Sequence, residues 1–500
     1  MSTIKKQSVQ GVVLSYIGVV VGFISQGILI PNLLTKDENG LLGLLLSFMY
    51  IFVQIASLGF NSAGSRFFPY FYERKGYGGY LFLGISISLI GFGIGSFILE
   101  IIKPWILNSS GGNSSLLERY YYLLLPITLG TLLFNLFDNY SKNLFDSVTG
   151  TFLNQFLQRF IIVIGLVLIA VIGISFDAFI YIWVAAFIMP ACWMIITAIR
   201  LGNFSLKPNF EDVSVDIKKQ FVNYSLLTVL TGFSSMIIMY IDKIMLNHYS
   251  GLGDTGIYNT ASFFGSIMGM SLVAMNKAAS PVIVNAFKNN DLITIETVYR
   301  KSCIMQLIIG SLVYGGIIIN LDVFFAFLPS GYEAGKWVII ILGFGKLIDL
   351  ATGINGTILI LSRYYKYDTI MMFTLILLTI ISNMIFIPLY GLIGAAIAAA
   401  LSTIYFNAVR FWLVWKKLGM QPINLQTFKV IGITIPIILI GYYLPHLKGN
   451  YMLLFLDIAY RSVFVTLFFI WVIYKSNVSL ETNQLLDKGV EVVVNLLKIK

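Results

Sequence analysis

Charge is what this 500-residue chain has least of. Charged residues make up 11% of it, where a soluble globular domain carries about 25%. A chain 58% hydrophobic with mean hydropathy +0.85 has too little polar surface to face water. Its solvent over most of its length is lipid, so domain counts scaled from soluble proteins do not apply. Cysteine and histidine are equally scarce, two of each. Cys192 and Cys303 sit inside apolar runs and read as small apolar fillers. His248 and His446 are far apart near apparent helix ends, and no metal-ligand spacing joins them to anything. No P-loop, nucleophile elbow or paired carboxylates in an extramembrane loop appear. The missing P-loop argues against ATP as a direct energy source. The net charge of +10 could suggest nucleic acid. The charges instead lie in short loops between apolar runs, where membrane orientation accounts for them, and nucleic acid is not expected as a partner.

What remains is long apolar runs. A spanning helix needs about 20 mostly apolar residues. Such runs fall near 11–33, 41–60, 79–101, 120–137, 153–174, 178–199, 222–247, 256–284, 302–321, 336–361, 369–387, 392–415, 430–444 and 451–474, fourteen in all. The first is too long for a signal-peptide core and no small-residue cleavage site follows it, so it reads as a retained span. With the N-terminus inside, 23 Lys and Arg fall in inner segments and 5 in outer ones. Arg74, Lys75 and Lys500 count inside and Lys448 outside. The even helix count puts both termini in the cytoplasm. Past 476, apolar residues at helical spacing among lysines predict an amphipathic helix on the cytoplasmic surface.

A weak repeat runs through the chain. Gly22-Phe23 is echoed by Gly232-Phe233. Gly40 and Gly256 each begin a long helix and are followed 31 positions later by Phe71 and Phe287. Six helices per repeat makes the halves parallel, a pattern of transporters whose halves enclose a site and rock about it. The expected architecture is an all-α polytopic membrane protein with a central cavity. Two pseudo-symmetric six-helix bundles (1–200 and 222–416) are joined by a linker (201–221). Two further spans (417–475) and the tail (476–500) follow.

Charges inside spans are costly and tend to face a bundle interior or a water-filled cavity. Lys346 and Asp349 lie 10 and 13 residues from the outer end of the tenth helix, on one face. They read either as an internal ion pair or as a site where Lys346 holds an anion and Asp349 exchanges a proton or sodium ion. Asp457 and Arg461, four residues apart on the last helix, allow the same two readings. Asp242 and Lys243 are adjacent, point about 100° apart and cannot share a face. Lys277 and Arg66 complete the candidates for cavity lining. Gln26 and Pro31 mark a bend in the first helix. The small-residue run from Gly391 to Ala400 reads as a close-packing face.

Three stretches carry a family resemblance. Ile387-Pro388-Leu389-Tyr390-Gly391-Leu392-Ile393-Gly394-Ala395-Ala396-Ile397-Ala398 resembles the start of the twelfth helix of bacterial polysaccharide and O-antigen flippases. Asp242-Lys243-Ile244-Met245-Leu246, with Gly256-Ile257-Tyr258-Asn259, resembles their seventh and eighth helices. Asn39-Gly40-Leu41 and Leu58-Gly59-Phe60-Asn61 resemble their first helices. That family lies in the multidrug/oligosaccharidyl-lipid/polysaccharide exporter superfamily. The resemblance implies a bacterial inner-membrane protein that moves an undecaprenyl-diphosphate-linked oligosaccharide to the outer leaflet by alternating access. Surface polysaccharide (O-antigen, capsule or exopolysaccharide) biosynthesis would use it. It implies membrane lipids and glycan polymerases as partners, and no catalysis. It also implies a cationic cavity, for which Arg66, Lys243, Lys277 and Lys346 match. Arg461 would lie near a lipid-tail groove of the last two helices, and Asp349 and Asp242 are the ion-coupling candidates. The coupling ion would be a proton or sodium, with no other cofactor. The rival readings are an ion-coupled multidrug or metabolite antiporter of the same superfamily and a membrane polymerase or ligase. The last would need a long outer loop with clustered Arg and His, which is missing.

Overall fold

A computed structural model describes residues 3–72, 77–107, 114–201, 204, 206–208, 215–447 and 449–498. Arg74, Lys75, Lys448 and Lys500, used above to orient the chain, lie outside these residues, as does much of the 201–221 linker. The described residues form helices and no strand.

The helices are α1 (Thr3–Gly22), α2 (Ile30–Leu33), α3 (Lys36–Ala56), α4 (Phe60–Tyr72), α5 (Tyr77–Leu107), α6 (Ser114–Tyr120), α7 (Leu124–Asn143), α8 (Val148–Phe152), α9 (Gln158–Ile172) and α10 (Phe176–Arg200). Then come α11 (Val215–Lys288), α12 (Leu292–Ala326), α13 (Lys336–Ala351), α14 (Asn355–Leu361), α15 (Tyr365–Leu418), α16 (Leu425–Tyr442), α17 (Tyr451–Lys475) and α18 (Leu480–Lys498). Eleven stretches are long and apolar enough to cross a membrane, or twelve when the bent pair around α13 and α14 is one span. Two of them are double. α11 has 74 residues and α15 has 54, so they would run roughly 110 and 80 Å against a hydrocarbon core of about 30 Å. Gly251 (φ 84°, ψ −177°) breaks the first and Gly391 (φ 55°, ψ −130°) the second. Only glycine adopts such angles freely. Each half is then one span, and the fourteen predicted helices are accounted for.

Two predicted helices differ from their observed form. The tenth, expected to be continuous over 336–361, ends at Ala351 and restarts at Asn355, bent by 51°. Gly353 at the break has φ 61°, and a Cβ there would lie 2.6 Å from Cys303 Sγ. The second helix is interrupted at Leu58 (φ 43°) and Gly59 (φ 74°) and continues as α4. In the first span a π-helical turn covers Phe23–Leu29 just before Pro31 and contains Gln26. Such a turn loosens the regular hydrogen-bond ladder.

The chain packs as two compact units, Met1–Thr260 with Asn383–Ala395, and Ala261–Ser382 with Ala396–Lys500. This boundary falls inside α11, whereas the sequence divides its bundles at 201–221. The reason is aromatic packing at the start of α11: the Phe221 ring lies 5.9 Å from Phe60 and 5.7 Å from Phe67. Elsewhere in the first unit, Trp183 is fully buried against Phe187. In the second unit α12 is central. Gly310 lets Leu347 and Leu350 of α13 approach it, and Ile319 meets Gly441 of α16. The Gly391–Ala400 run includes one such close approach, Ala400 against Gly345. The tail helix α18 is tied to this unit by Lys301 to Glu481 at 2.6 Å and by the Tyr474 hydroxyl donating to Asp487 at 2.9 Å.

Candidate functional site

The most developed polar cluster in the spans belongs to the second unit. One helical turn separates Lys346 from Asp349, and Lys346 Nζ donates to Asp349 Oδ2 at 2.9 Å. The other carboxylate oxygen accepts from Asn407 Nδ2 at 2.9 Å. Asn407, in the second half of α15, is buried, and its Oδ1 accepts from Thr352 Oγ1 at 2.8 Å and Asn355 Nδ2 at 3.3 Å. These last two residues flank the break after α13. Side chains therefore satisfy polar groups where the helix is interrupted, as a break in lipid requires.

Lys346 is the accessible member, with 39% of its side chain exposed against 20% for Asp349. Facing it are Gly265 and Gly269 of α11, whose absent Cβ atoms would stand 3.9 and 3.8 Å from its stem. Two glycines one turn apart leave a strip of bare backbone, against which the Lys346 side chain lies. Lys277 lies eight residues beyond Gly269 on α11, about 12 Å along the axis and about 80° around it. It is exposed and makes no ion pair among the described residues.

Arg461 and Asp457 form a second cluster in this unit, both fully buried. Arg461 Nη2 donates to the carbonyls of Gly441 and Tyr442 at 2.8 and 3.2 Å, the open C-terminal end of α16. Nη1 lies 2.7 Å from His446 Nδ1, and Asp457 is 3.6 Å from the guanidinium and accepts from Leu447 N at 2.9 Å. The guanidinium is a clasp between α16 and α17, enclosed by protein.

In the first unit, Asp242 and Lys243 take separate partners, as their 100° separation requires. The Tyr258 hydroxyl donates to Asp242 at 2.5 Å, and Lys243 Nζ donates to Asn259 Oδ1 at 2.8 Å. Asn259 Nδ2 reaches Asn39 Oδ1 at 3.1 Å, and Asn39 Nδ2 donates to Gly256 O and Thr260 Oγ1, both at 2.9 Å. Lys243 is thus engaged in the crossing of α3 and α11. Arg66 lies over the Tyr224 ring at 4.5 Å.

Sequence reasoning overlooked three groups. Arg159, a cation inside α9, donates to Gly18 O. Beside it a small chamber is lined by Tyr50, Thr131, Asn135, Asn154 and Gln158, and Tyr50 stacks on Tyr240 at 5.1 Å. Its signal was a lone arginine in an otherwise apolar run. Asn407 carries no charge and gave none. Asp368 and Arg410 form a two-pronged pair, 2.8 and 3.1 Å, that joins the halves of α15; Arg410 had been counted only as an inner-loop charge.

A family model described as polysaccharide biosynthesis protein matches residues 9–287. The capsular polysaccharide biosynthesis protein CapF of Staphylococcus aureus is 23% identical over 43% of this chain and 54% of its own length. The "Probable low-salt glycan biosynthesis flippase Agl15" of Haloferax volcanii is 22% identical over 46% and 47%. The fold is that of the lipid II flippase MurJ in an inward closed conformation, with a TM-score of 0.72 at 15% identity, covering 94% of this chain and all of that one. It is also that of an inward-facing multidrug resistance MATE family transporter of the MOP superfamily, with a TM-score of 0.61 at 16% identity, covering 80% and 94%.

Proposed function

Because the chain belongs to the polysaccharide biosynthesis protein family, we propose that it carries an undecaprenyl-diphosphate-linked oligosaccharide from the cytoplasmic to the outer leaflet of a bacterial plasma membrane. Alternating access of its two halves about a central cavity would move the cargo, with both termini cytoplasmic. The observation that carries this reading is Lys346: a half-exposed ammonium in an apolar span, opposite a glycine strip, held by Asp349. A diphosphate is the anionic group of such a lipid, and an ammonium donates to it from three protons. Lys277 extends the same positive path along α11. The names of two relatives point the same way, one to capsular polysaccharide and one to glycan flipping.

The test is leaflet transfer of a labelled undecaprenyl-diphosphate oligosaccharide in proteoliposomes. Wild type is expected to transfer it, and Lys346→Ala to lose transfer at equal protein incorporation. Export of cationic dyes with no transfer of any lipid-linked sugar would replace this reading with the antiporter. Repeating the assay with and without proton and sodium gradients identifies the coupling ion, for which Asp349 is the proposed carrier.

A further inference from the structure

A groove of about 560 Å³ opens in the first unit between α4, α5 and the start of α11. Pockets for small ligands have about this volume. Phe71, Leu83, Ile87, Phe221 and Val229 are among its walls, and Lys218 is its one charged lining residue among those described.

The sequence explains its shape. The positive φ angles of Leu58 and Gly59 turn α4 away from the line of α3 and open the space. Toward its Val229 end the groove passes the contact of Gly59 with α11, where a Cβ would overlap Ser225 O and lie 2.6 Å from Thr228 Oγ1. The other end is basic. Lys218 lies seven residues before Ser225, about 10 Å along the helix, with Lys219 next to it. Arg66 stands outside the groove on α4: its guanidinium lies over Tyr224, and Phe67 meets both Tyr224 and Phe221. Glu211, Asp212 and Asp216 precede Lys218 in sequence, and of these Asp216 is the one among the described residues.

An apolar groove with a lysine at one end, on helices that span a membrane, has the complement of a lipid: chain along the groove, anionic head at the lysine. Basic residues near a bilayer surface draw acidic lipids at about fivefold per residue. The geometry points to an acidic phospholipid of the surrounding bilayer as the occupant, with one acyl chain along the groove and its phosphate on Lys218. This lipid is a resident of the first unit, separate from the cargo proposed above. It would fasten the start of α11 to α4.

Native mass spectrometry of the full chain, purified in mild detergent and titrated with dioleoylphosphatidylglycerol or dioleoylphosphatidylcholine, tests this. Wild type is expected to retain one phosphatidylglycerol in preference to phosphatidylcholine. Lys218→Gln is expected to lower that preference about fivefold. Val229→Phe, which fills the groove, is expected to remove retention of both lipids. Equal retention by wild type and Lys218→Gln overturns the assignment. So does undecaprenyl phosphate displacing phosphatidylglycerol at equal concentration, which would give the groove to a prenyl carrier. If Val229→Phe elutes as aggregate, Lys218→Gln, an exposed change, still decides. The readout is bound lipid, so it stands or falls independently of transport.

Discussion

Gly40 and Gly256 lie backbone to backbone where α3 crosses α11. A Cβ on Gly40 would overlap Leu252 O and lie 3.1 Å from Gly256 N; one on Gly256 would overlap Lys36 O and lie 2.9 Å from Gly40 N. These are the two glycines that the internal repeat aligns, so equivalent positions of the two repeats meet each other. Asn39 and Thr260 stitch the crossing at 2.9 Å.

Because the clashing atoms are backbone, this crossing cannot absorb a methyl group by turning a side chain. Gly40→Ala and Gly256→Ala are each expected to destabilise the protein by about 1–3 kcal/mol, the usual cost of overpacking. Lower midpoints of thermal unfolding in detergent would show it. An unchanged midpoint in both would mean that the crossing is looser than described.

Asp368 is buried and Arg410 largely so, with side chains 6% and 16% exposed. Removing one charge strands the other. Asp368→Asn is expected to cost about 3–5 kcal/mol, seen as loss of monodisperse protein on size exclusion. Arg410→Lys, which loses the two-pronged geometry, should fall between that variant and wild type.

Asn407 holds Asp349 from the side opposite Lys346. Asn407→Leu keeps the volume and removes the hydrogen bonds, leaving a carboxylate oxygen unsatisfied. Leaflet transfer is expected to fall severalfold with incorporation into proteoliposomes little changed, because such a loss is worth about 1–3 kcal/mol. Transfer equal to wild type would separate Asn407 from the path.

The tail helix gives a pH prediction. The hydrogen bond from Lys301 holds the Glu481 carboxyl below the usual range, ahead of the opposing effect of its partial burial. A depressed acid contributes stability above its unfolded value, near 4.3, and that stability is lost as pH falls through the lower folded value. Protection of the α18 amides against hydrogen exchange, taken relative to the intrinsic rate at each pH, should therefore be high at neutral pH and fall on acidification below about 4. Glu481→Gln should remove this pH dependence. A profile identical to wild type would sink the assignment.

The span count was legible because the apolar runs end at 247 and 387 and resume at 256 and 392; that Gly251 and Gly391 make the breaks was not, since Gly391 read only as part of a packing face. The pairing of Lys346 with Asp349 was legible from spacing alone. The 51° bend at Gly353 was not, because its cause is the close approach of Cys303, distant in sequence. Asn407 was hidden for a related reason: an amide leaves no mark on a hydropathy profile, and its importance comes from three partners on α13, α14 and the turn between them. Arg461 was visible as a charge, but its role as a clasp depends on carbonyls of α16 that no side-chain pattern records.

In the reading proposed above, the Lys346–Asp349 pair would also set how firmly an anionic cargo is held. Empty, the pair is electrically neutral, so it lowers the cost of placing either charge in lipid. An anion that arrives at the ammonium meets the carboxylate as a competitor for the same protons and as a like charge. Part of its attraction to the lysine is therefore cancelled in advance. A lone lysine in an apolar span would trap a diphosphate, whereas one already engaged by an acid lets it go, which is what a carrier that must empty itself on every cycle requires.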